Sequence, residues 1–537
     1  MKKRLAYLLA MAMGLSVLAG CGGGGAETGG DSGSGGASAG GNVGSGASTE
    51  NGGGTDADAG AENGGAGSAG VEIDFDEEPY EATLMYWVGN DARDLESVEA
   101  AFNELTLSQL NMKVNLMPMT MGTYIQQIQM VLSSDDDLDV FPFFGSNMGG
   151  YIDAEYLIDM SGYMDTYGQD LVEIIGEEDI ECGKLNDFLA GVPNMHERTN
   201  PVIFVLRTDL LEESGFQAED ISGVEDLTQV FAAVHEKHPE ITIYGGQNTL
   251  AYPLQISVAV MDPLGGGNFG VLPDEGQSTT VVNWYETEEF TEACKLMRSW
   301  YEAGYVSADF ATCTDTGESL MRAGNLFCFS TAGKPNSKAE KDAMTGYDTT
   351  IIKVTPDACY TQTTNALLYG ISGNSEDPEK AMLLLNWIYA TKEANDLLNW
   401  GIEGKDYVVT EDGTIDYPEG VTIDNVGYHQ DTGWAQLNQY NSYVWTGNDA
   451  DVWDQYQAVR DSAIMSKAYG FFFDTTPVLN ELSALTAVSE EYLTTIGSGS
   501  VDPEAAIAEF NEKLYAAGLQ TVIDEKQEQL DAWLAEQ

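Results

Sequence analysis

Aromatic, amide and hydroxyl side chains follow the ends of two predicted strands, and together they can hold a polar ligand. Trp87 and Asn90 come at the end of the first predicted strand, and Phe144, Ser146 and Asn147 come at the end of the third. In open sheets built from parallel strands, ligands bind beyond the carboxyl ends of the strands. We therefore expect these five side chains to lie along one ligand-binding edge.

The elements that position these residues alternate between strand and helix. The apolar run ATLMYWV at 82–88 is typical of a buried strand, and residues 94–110 have apolar side chains at helical spacing, with Asp94 as the expected N-cap. A second strand, MKVNLMP, a helix over 124–132 and a third strand, LDVFPFF at 138–144, follow. This alternation predicts an α/β fold with a largely parallel sheet.

The rest of the chain continues this mixture and ends in helices. Further apolar runs predict strands at 202–207, 241–244, 326–330 and 366–371. A helix is predicted over 288–303, a long amphipathic helix begins at Pro378, and a hairpin is predicted over 406–417. The C-terminal part is mainly helical.

The charge balance excludes several classes of partner. The chain has 87 Asp and Glu against 23 Lys and Arg, a formal charge of −64. Nucleic acids and anionic lipid headgroups are normally bound by clustered basic side chains, so neither is expected as a partner. Most of the carboxylates are expected to form a solvated surface. The five cysteines after Cys21 form no CxxC pair, and we expect them to be buried small apolar residues.

No motif specifies catalysis, a metal or a cofactor. Acidic residues are so abundant that the two carboxylates of a glycosidase cannot be singled out, and GxSxG does not occur. HEKH at 235–238 differs from HExxH, and DDDLD at 135–139 lacks the glycine and distal glutamate of a calcium loop. GGG at 265–267 is not followed by GK[ST]. We predict no metal and no cofactor.

The N-terminus has the pattern of an export signal. Lys2, Lys3 and Arg4 precede an apolar run at 5–17 that is too short to span a bilayer. The sequence LAGC that ends at Cys21 resembles a bacterial lipobox, which implies cleavage before Cys21 and diacylglycerol on its thiol. Residues 22–72 are rich in Gly, Ser and Asp and poor in aromatic residues, which predicts a disordered tether.

Three later stretches resemble one protein family. They are VPNMHERTNPVIFVLRTDLLEESGF, SEDPEKAMLLLNWIYATKEANDLLNWGIEGKDY and the C-terminal part from GFFFDTTPVLNELSAL onward. They are similar to the extracellular solute-binding proteins of ABC importers, in the large group with maltose-type and other carbohydrate-binding members. The last stretch resembles a C-terminal domain of unknown function from a Gram-positive branch of lipoproteins.

The resemblance implies a clamp of two α/β lobes joined by hinge crossovers, with a helical C-terminal extension. The predicted parts are the signal peptide and lipobox at 1–21, the tether at 22–72, lobe 1 at 73–200 plus 365–420, and lobe 2 at 201–364 plus 421–537. In such a clamp, ligand contacts made by both lobes favour the closed state.

The resemblance also implies further ligand-binding candidates. Sugars stack their C–H faces on aromatic rings and share their hydroxyl groups with polar side chains. The added candidates are Arg207, Tyr252, Asn365, Trp400, Glu403 and Trp434. Trp400 and Glu403 match the GIEG-type turn of the family, for which a structural role is as well supported as ligand contact. Arg207 is also open to pairing with an acid at the crossing.

The expected function is capture of a polar solute, most simply an oligosaccharide, for delivery to the permease of an ABC transporter. The protein would be a monomer, anchored by lipid on Cys21 at the outer face of the cell membrane of a Gram-positive bacterium. It would not be an enzyme. A carbohydrate-active hydrolase and a binding protein for peptide-like solutes remain alternatives. A surface adhesin is disfavoured, because the sequence has neither repeats nor β-rich modules.

Overall fold

The computed structural model describes residues 71–134 and 136–537. The predicted signal sequence, Cys21 and residues 22–70 of the predicted tether lie outside this range. The strands are β1 (Tyr80–Val88), β2 (Met112–Thr120), β3 (Val140–Phe143), β4 (Lys184–Leu185), β5 (Phe188–Leu189), β6 (Val192–Pro193), β7 (Val202–Arg207), β8 (Thr242–Tyr244), β9 (Leu326–Ala332), β10 (Thr349–Lys353), β11 (Ala358–Cys359), β12 (Leu368–Ile371), β13 (Val408–Val409), β14 (Ile415–Asp416) and β15 (Ile464–Met465).

Helices separate and cover the strands. They are α1 (Leu95–Leu110), α2 (Met121–Leu132), α3 (Met148–Asp153), α4 (Met164–Tyr167), α5 (Gln169–Ile175), α6 (Glu177–Glu181), α7 (Thr208–Glu213), α8 (Leu227–Lys237), α9 (Tyr252–Gln255), α10 (Glu288–Glu302), α11 (Gly317–Arg322), α12 (Ser337–Thr345), α13 (Thr361–Thr364), α14 (Pro378–Ala390), α15 (Lys392–Trp400), α16 (Val452–Ser462), α17 (Leu479–Gly497), α18 (Pro503–Ala516) and α19 (Leu519–Glu536).

The first sheet has the strand order β2-β1-β3-β12-β6, and β1 runs parallel to both of its neighbours. Trp87 of β1 lies opposite Met119 of β2. Every residue of β1 from Ala82 to Val88 is buried, because apolar side chains pack on both faces of the sheet. The predicted strand–helix–strand pattern is confirmed here. Asp94 precedes α1 without capping it, since its carboxylate accepts a hydrogen bond from Ser97 Oγ instead.

The second sheet has the order β10-β7-β9-β8, and β7 is antiparallel to both of its neighbours. The parallel arrangement predicted from the N-terminal strands is confirmed for β1, β2 and β3, whereas β12 of the first sheet and β7 of this second sheet are antiparallel to their neighbours. The reason is the crossover: β7 starts where the chain enters from the first sheet, and β9 runs back toward that point. Val202 at the start of β7 thus lies opposite Ala332 at the end of β9.

A buried cluster around Asp179 of α6 ties the crossings together. Its carboxylate accepts hydrogen bonds from Arg198 Nε (3.0 Å), Arg460 Nη2 (2.9 Å) and the Tyr469 hydroxyl (2.6 Å). Arg198 belongs to the first crossover, and Tyr469 lies 2.6 Å from the Thr364 hydroxyl at the second. The two arginines hold the pKa of Asp179 below its usual range despite the desolvation of the carboxyl group.

The C-terminal helices pack on the second lobe. Helices α17, α18 and α19 share a core with residues 261–294, and a lysine fastens this contact. Lys526 of α19 is fully buried, and its Nζ donates hydrogen bonds to the carbonyl oxygens of Pro263 (2.9 Å), Gly267 (3.1 Å) and Gly270 (2.8 Å). The glycine-rich loop therefore wraps around an ammonium group that a distant helix supplies.

Two α/β lobes and a helical C-terminal region thus form the fold, as predicted. The lobe boundaries remain a prediction, and we propose one change to them. Tyr428, Ala435 and Leu437 lie in the first core, beyond the boundary predicted at residue 420. Among the described residues, no helix combines the length and the hydropathy needed to cross a bilayer.

Candidate functional site

The edge of the first sheet at the ends of β1 and β3 is closed over by the chain. Trp87 is only 2% exposed, and its ring centroid lies 5.0 Å from that of Phe144 and 5.1 Å from that of Tyr124. The carbonyl oxygen of Trp87 accepts a hydrogen bond from Gln436 Nε2 at 2.8 Å. The structure therefore places Trp87 and Phe144 in the core below the predicted binding edge.

The covering segment is residues 429–439, which we call the cleft loop. The backbone N–H of Asn90 donates to Gln430 Oε1 (3.0 Å), and Asn90 Nδ2 donates to the carbonyl oxygen of His429 (2.9 Å). A Cβ atom at Gly89 would lie 2.7 Å from Thr432 Cγ2, so the loop packs against a residue without a side chain. Asn90 positions this loop while its own side chain is exposed.

Asn365 is held at the second crossing. Its carbonyl oxygen accepts the Gly145 N–H at 3.1 Å, and its Nδ2 donates to the Cys182 carbonyl oxygen at 3.0 Å. A Cβ atom at Gly145 would lie 2.3 Å from the Asn365 oxygen, which explains the glycine there. Asn365 thus fixes the turn that presents Ser146, which is exposed, and Asn147, which is half-buried.

An aromatic cluster stands beside the cleft loop. The ring centroid of Trp445 lies 4.5 Å from that of His429, 4.7 Å from that of Tyr417 and 5.4 Å from that of Trp400. Trp445 and Tyr417 are half-buried, whereas Trp400 is buried and donates its Nε1–H to the Tyr443 carbonyl oxygen. The cluster therefore presents two partly accessible rings on a buried base.

The turn that follows Trp400 is built around a buried carboxylate. Asp406 accepts hydrogen bonds from the backbone N–H groups of Ile402 (2.9 Å) and Tyr428 (3.1 Å). Gly401 has a φ of 87°, and a Cβ atom there would lie 2.6 Å from Asp406 Oδ2. Glu403 points into solvent on this turn. The turn thus joins α15 to the cleft loop.

Charged side chains meet near the cleft loop from both lobes. Lys334 of the second lobe lies 2.8 Å from Glu340 of α12 and 3.9 Å from Glu197 of the first crossover. Gln439 Nε2 of the cleft loop lies 3.4 Å from Glu197 Oε2. Desolvation raises the pKa of Asp431 to about 6, while Lys334 opposes this rise and Glu340 adds to it. Asp431 itself is exposed, whereas the residues that precede it, His429 and Gln430, are buried.

A second contact joins the two sides a short distance away. Asn336 follows β9, and its Nδ2 donates to Asn448 Oδ1 at 2.9 Å. The hydroxyl group of Tyr456 on α16 donates to Asn336 Oδ1 at 2.6 Å. Asn448 in turn donates its Nδ2–H to the carbonyl oxygen of Trp445. The aromatic cluster is therefore linked to the second lobe by amide groups.

Several buried polar atoms at this edge have no hydrogen-bond partner within the described part of the chain. They are Trp87 Nε1, Asn194 Oδ1, His429 Nδ1, Gln430 Nε2 and Gln436 Oε1. Buried polar atoms in proteins nearly always have partners, so these atoms require a partner that the described part of the chain does not supply, such as a water molecule or a polar ligand. Burial also lowers the pKa of His429 to about 4, so its ring is neutral at pH 7.

The remaining predicted residues have structural surroundings. Arg207 ends β7 away from the crossover, where its guanidinium binds Asp209 and lies 4.0 Å above the Tyr347 ring. Tyr252 is buried in the second core, with its ring centroid 5.5 Å from that of Phe204. Trp434 is half-buried in the cleft loop, and its carbonyl oxygen accepts a hydrogen bond from Asn194.

The prediction missed most of the charged and aromatic residues that meet at the cleft. They are Glu197, Lys334, Glu340, Tyr417, His429, Asp431 and Trp445. The available signal was weak: Glu197 lies in the first crossing, and Asp431 and Trp445 lie in the same polar, irregular segment as Trp434.

Comparisons with known proteins agree with this architecture. A family model described as bacterial extracellular solute-binding protein matches residues 99–402, and a model for a domain of unknown function matches residues 467–535. A carbohydrate ABC transporter substrate-binding protein of Streptococcus pneumoniae is 26% identical over 455 residues, which cover 84% of this chain and 90% of that protein.

Solved structures of binding proteins superimpose over most of the chain. The crystal structure of the N-glycan transport solute binding protein NgtS from Streptococcus pneumoniae has a TM-score of 0.74 and 25% identity, covering 85% of this chain and 99% of that one. Its complex with Man5GlcNAc has a TM-score of 0.64 and 24% identity over the same shares. The alginate-binding protein AlgQ2 shares the fold, with a TM-score of 0.57 and 14% identity over 85% of this chain and 98% of that one. The chain belongs to the bacterial extracellular solute-binding proteins.

Proposed function

We propose that this protein captures an oligosaccharide between its two lobes and delivers it to the permease of an ABC transporter. The observation that carries the proposal is the aromatic cluster of Tyr417, His429 and Trp445 beside the unpaired polar atoms of the cleft loop. Partly accessible rings offer faces to the C–H groups of a sugar, and the polar atoms offer partners for its hydroxyl groups.

The second lobe supplies the other half of the site. The charges of Lys334 and Glu340 act on Asp431, and Asn336 donates a hydrogen bond to Asn448 in the segment that carries Trp445. A ligand that contacts both lobes is bound more tightly by the closed conformation than by the open one, so it increases the population of the closed conformation. Asn90, Ser146, Asn147 and Trp434 remain proposed contacts at the rim, because each is at least partly accessible.

The other predicted residues have a supporting role in this proposal. Trp87, Phe144 and Asn365 shape the edge beneath the cleft loop, and Trp400 supports the aromatic rings. We no longer propose Arg207 and Tyr252 as ligand contacts, because one is paired with Asp209 and the other is buried in the second core.

The relatives support an oligosaccharide as the ligand class. The crystal structures of NgtS contain Man1GlcNAc and Man5GlcNAc, and the carbohydrate ABC transporter protein covers nearly the same part of this chain. We propose in addition that the ligand leaves unchanged, that the protein acts as a monomer, and that lipid on Cys21 holds it at the outer face of the cell membrane.

A thermal-shift screen tests the ligand class. The purified protein is mixed with Man5GlcNAc, maltotetraose, cellotetraose or tetrapeptides, and each binding compound is recovered for mass spectrometry. A ligand at a hundred times its Kd stabilises the folded state by about 2.7 kcal/mol, which raises the melting temperature measurably. A rise in melting temperature caused by a sugar that is recovered intact supports the proposal. A shift with peptides alone favours a peptide receptor, and a cleaved sugar favours a hydrolase.

The anchor has a separate test. In a Gram-positive host, the wild-type chain is expected in the membrane fraction, and the Cys21→Ser variant is expected in the culture medium. An equal distribution of the two proteins would contradict lipidation at Cys21.

A further inference from the structure

The cleft carries more negative than positive charge. The ammonium group of Lys334 lies 3.9 Å from Glu197 of the crossover and 2.8 Å from Glu340 of the second lobe, and its charge also acts on Asp431 of the cleft loop, where it opposes the rise of the pKa. Behind it, Lys341 binds Glu340 and Glu318, each at 2.9 Å. The four carboxylates therefore exceed the two ammonium groups. An added negative charge from a ligand would meet like charges in a partly desolvated space, where electrostatic repulsion is strong.

Asp431 is held in place by its backbone. Its φ of 50° is in the left-handed region, which residues other than glycine, asparagine and aspartate rarely occupy. Strained residues of this kind persist where the surrounding structure fixes them, commonly at binding sites. Two residues earlier in the chain, His429 is 5% exposed and its Nδ1 has no hydrogen-bond partner among the residues described, which leaves a buried polar atom of the cleft loop in need of a partner such as a polar ligand.

We infer that the cleft selects neutral oligosaccharides and rejects acidic ones, and that Asp431 is the residue that sets this preference. The inference rests on the proposed function and narrows its ligand class. A neutral sugar can donate hydroxyl hydrogen atoms to Asp431, because an ionised carboxylate only accepts hydrogen bonds. A uronic or other carboxylate-bearing sugar brings a second acceptor of the same charge, which leaves both groups without the donor that each requires.

The test compares two forms of one glycan. Man5GlcNAc is measured by isothermal titration calorimetry against the same glycan after oxidation of its free primary hydroxyl groups to carboxylates. Any arm that enters the cleft then carries a charge. We expect the oxidised glycan to bind at least ~10-fold more weakly than the neutral one at low salt, and the ratio to shrink in ~1 M salt, where the Debye length is about 3 Å. If Man5GlcNAc does not bind, the comparison uses a neutral oligosaccharide that binds in the thermal-shift screen, together with its oxidised form.

The matched variants are Asp431→Asn and Asp424→Asn. Asparagine tolerates the left-handed backbone and keeps the side-chain shape, so Asp431→Asn removes the charge with little strain. Asp424 is exposed, and its replacement changes the net charge of the chain by the same amount. We expect Asp431→Asn to lower the ratio of the two Kd values to roughly 3-fold by weakening the repulsion, and Asp424→Asn to leave it unchanged.

A pH series provides a second readout. The groups that face Asp431 are Lys334, Glu340 and Tyr417, with Glu197 beyond Lys334 and His429 beside it. Lys334 keeps the pKa of both Glu197 and Glu340 below the usual range, and that of His429 is about 4, so Asp431 is the member of this set that titrates near pH 6. The preference for the neutral glycan is therefore expected at pH 7.5 and reduced at pH 5, and Asp431→Asn should remove this difference.

Three results would overturn the inference. Equal binding of the two glycans to the wild-type protein would show that the cleft has no charge preference, while the proposed function would stand. If Asp431→Asn and Asp424→Asn reduce the preference for the neutral glycan equally, the net charge of the whole chain causes the preference, and Asp431 does not. If no neutral oligosaccharide binds, the proposed function fails first and the inference fails with it.

Discussion

Two aromatic groups on the first lobe have similar side chains and opposite access to solvent. Trp87 lies next to the last residue of β1 and Phe144 directly follows β3, yet both are buried, and Gln436 of the cleft loop binds the carbonyl oxygen of Trp87. Trp445 and Tyr417 come from irregular segments, yet they are partly accessible beside the same loop. Position at the end of a strand therefore does not decide which ring can meet a ligand. The segment that packs over the strand decides it.

The largest expected effect is a loss of stability when a ring of the buried group is removed. Replacing Trp87 with alanine leaves a cavity in the first core, and we expect it to lower the free energy of unfolding by about 3–5 kcal/mol in urea denaturation. If Trp87→Ala lowers the free energy of unfolding by less than about 1 kcal/mol and abolishes ligand binding, Trp87 contacts the ligand and is not a core residue.

The pH dependence of stability should report the buried side of the aromatic cluster. The pKa of His429 is about 4 in the folded protein and about 6.5 in an unfolded chain. Between these values the unfolded state binds more protons, so the contribution of neutral His429 is complete above about pH 6.5 and is lost as the pH falls to about 4. We expect His429→Gln to remove roughly 2 kcal/mol of the difference in unfolding free energy between pH 4.5 and 6.5.

The control for this effect is His238, which is partly exposed and faces Glu213 and Glu240 at the end of α8. If His429→Gln and His238→Gln change the pH dependence equally, the burial of His429 is not the cause. Chemical denaturation at the two pH values measures both variants.

The partly accessible ring should matter for affinity. We expect Trp445→Ala to weaken oligosaccharide binding by ~10-fold or more in calorimetry, because the variant lacks a stacking face, with a smaller loss of stability than Trp87→Ala causes. Trp533→Ala is the matched control, since Trp533 packs on Phe471 in the C-terminal region. Unchanged affinity in Trp445→Ala would show that the sugar does not stack on Trp445.

The smallest expected effect tests the loop itself. A methyl group at Gly89 would push on Thr432 Cγ2, so Gly89→Ala should shift the cleft loop and weaken binding by about 5-fold. Adding Thr432→Ser removes the contacted methyl group and should restore much of the affinity. If the double variant binds as weakly as Gly89→Ala, displacement of this loop does not explain the loss.

The fold was accessible from sequence because it depends on local patterns. The apolar run of β1, the spacing of apolar residues in α1 and the proline that begins α14 each reflect a short-range rule. The antiparallel direction of β7 was not accessible in this way. It depends on the chain returning between two lobes, which no pattern within the strand encodes.

The site was less accessible because it depends on long-range packing. Trp87 and Gln436 are 349 residues apart, and Lys334 acts on Asp431 from the other lobe. Trp87 lies near the end of β1, as the sequence pattern predicted, but its burial depends on a loop far along the chain. Asp431 lies in the same segment as Trp434, but no residue next to it in the sequence indicates a pKa near 6, because that value results from desolvation in the folded chain.

The bond between Lys526 and the glycine-rich loop affects how the protein is made. Pro263, Gly267 and Gly270 are synthesised more than two hundred residues before Lys526, whose ammonium group donates hydrogen bonds to their carbonyl oxygens. Until residue 526 has been synthesised, those oxygens lack this donor, and the core that they share with α19 lacks one of its helices. The core of the second lobe is therefore completed only after synthesis of nearly the entire chain.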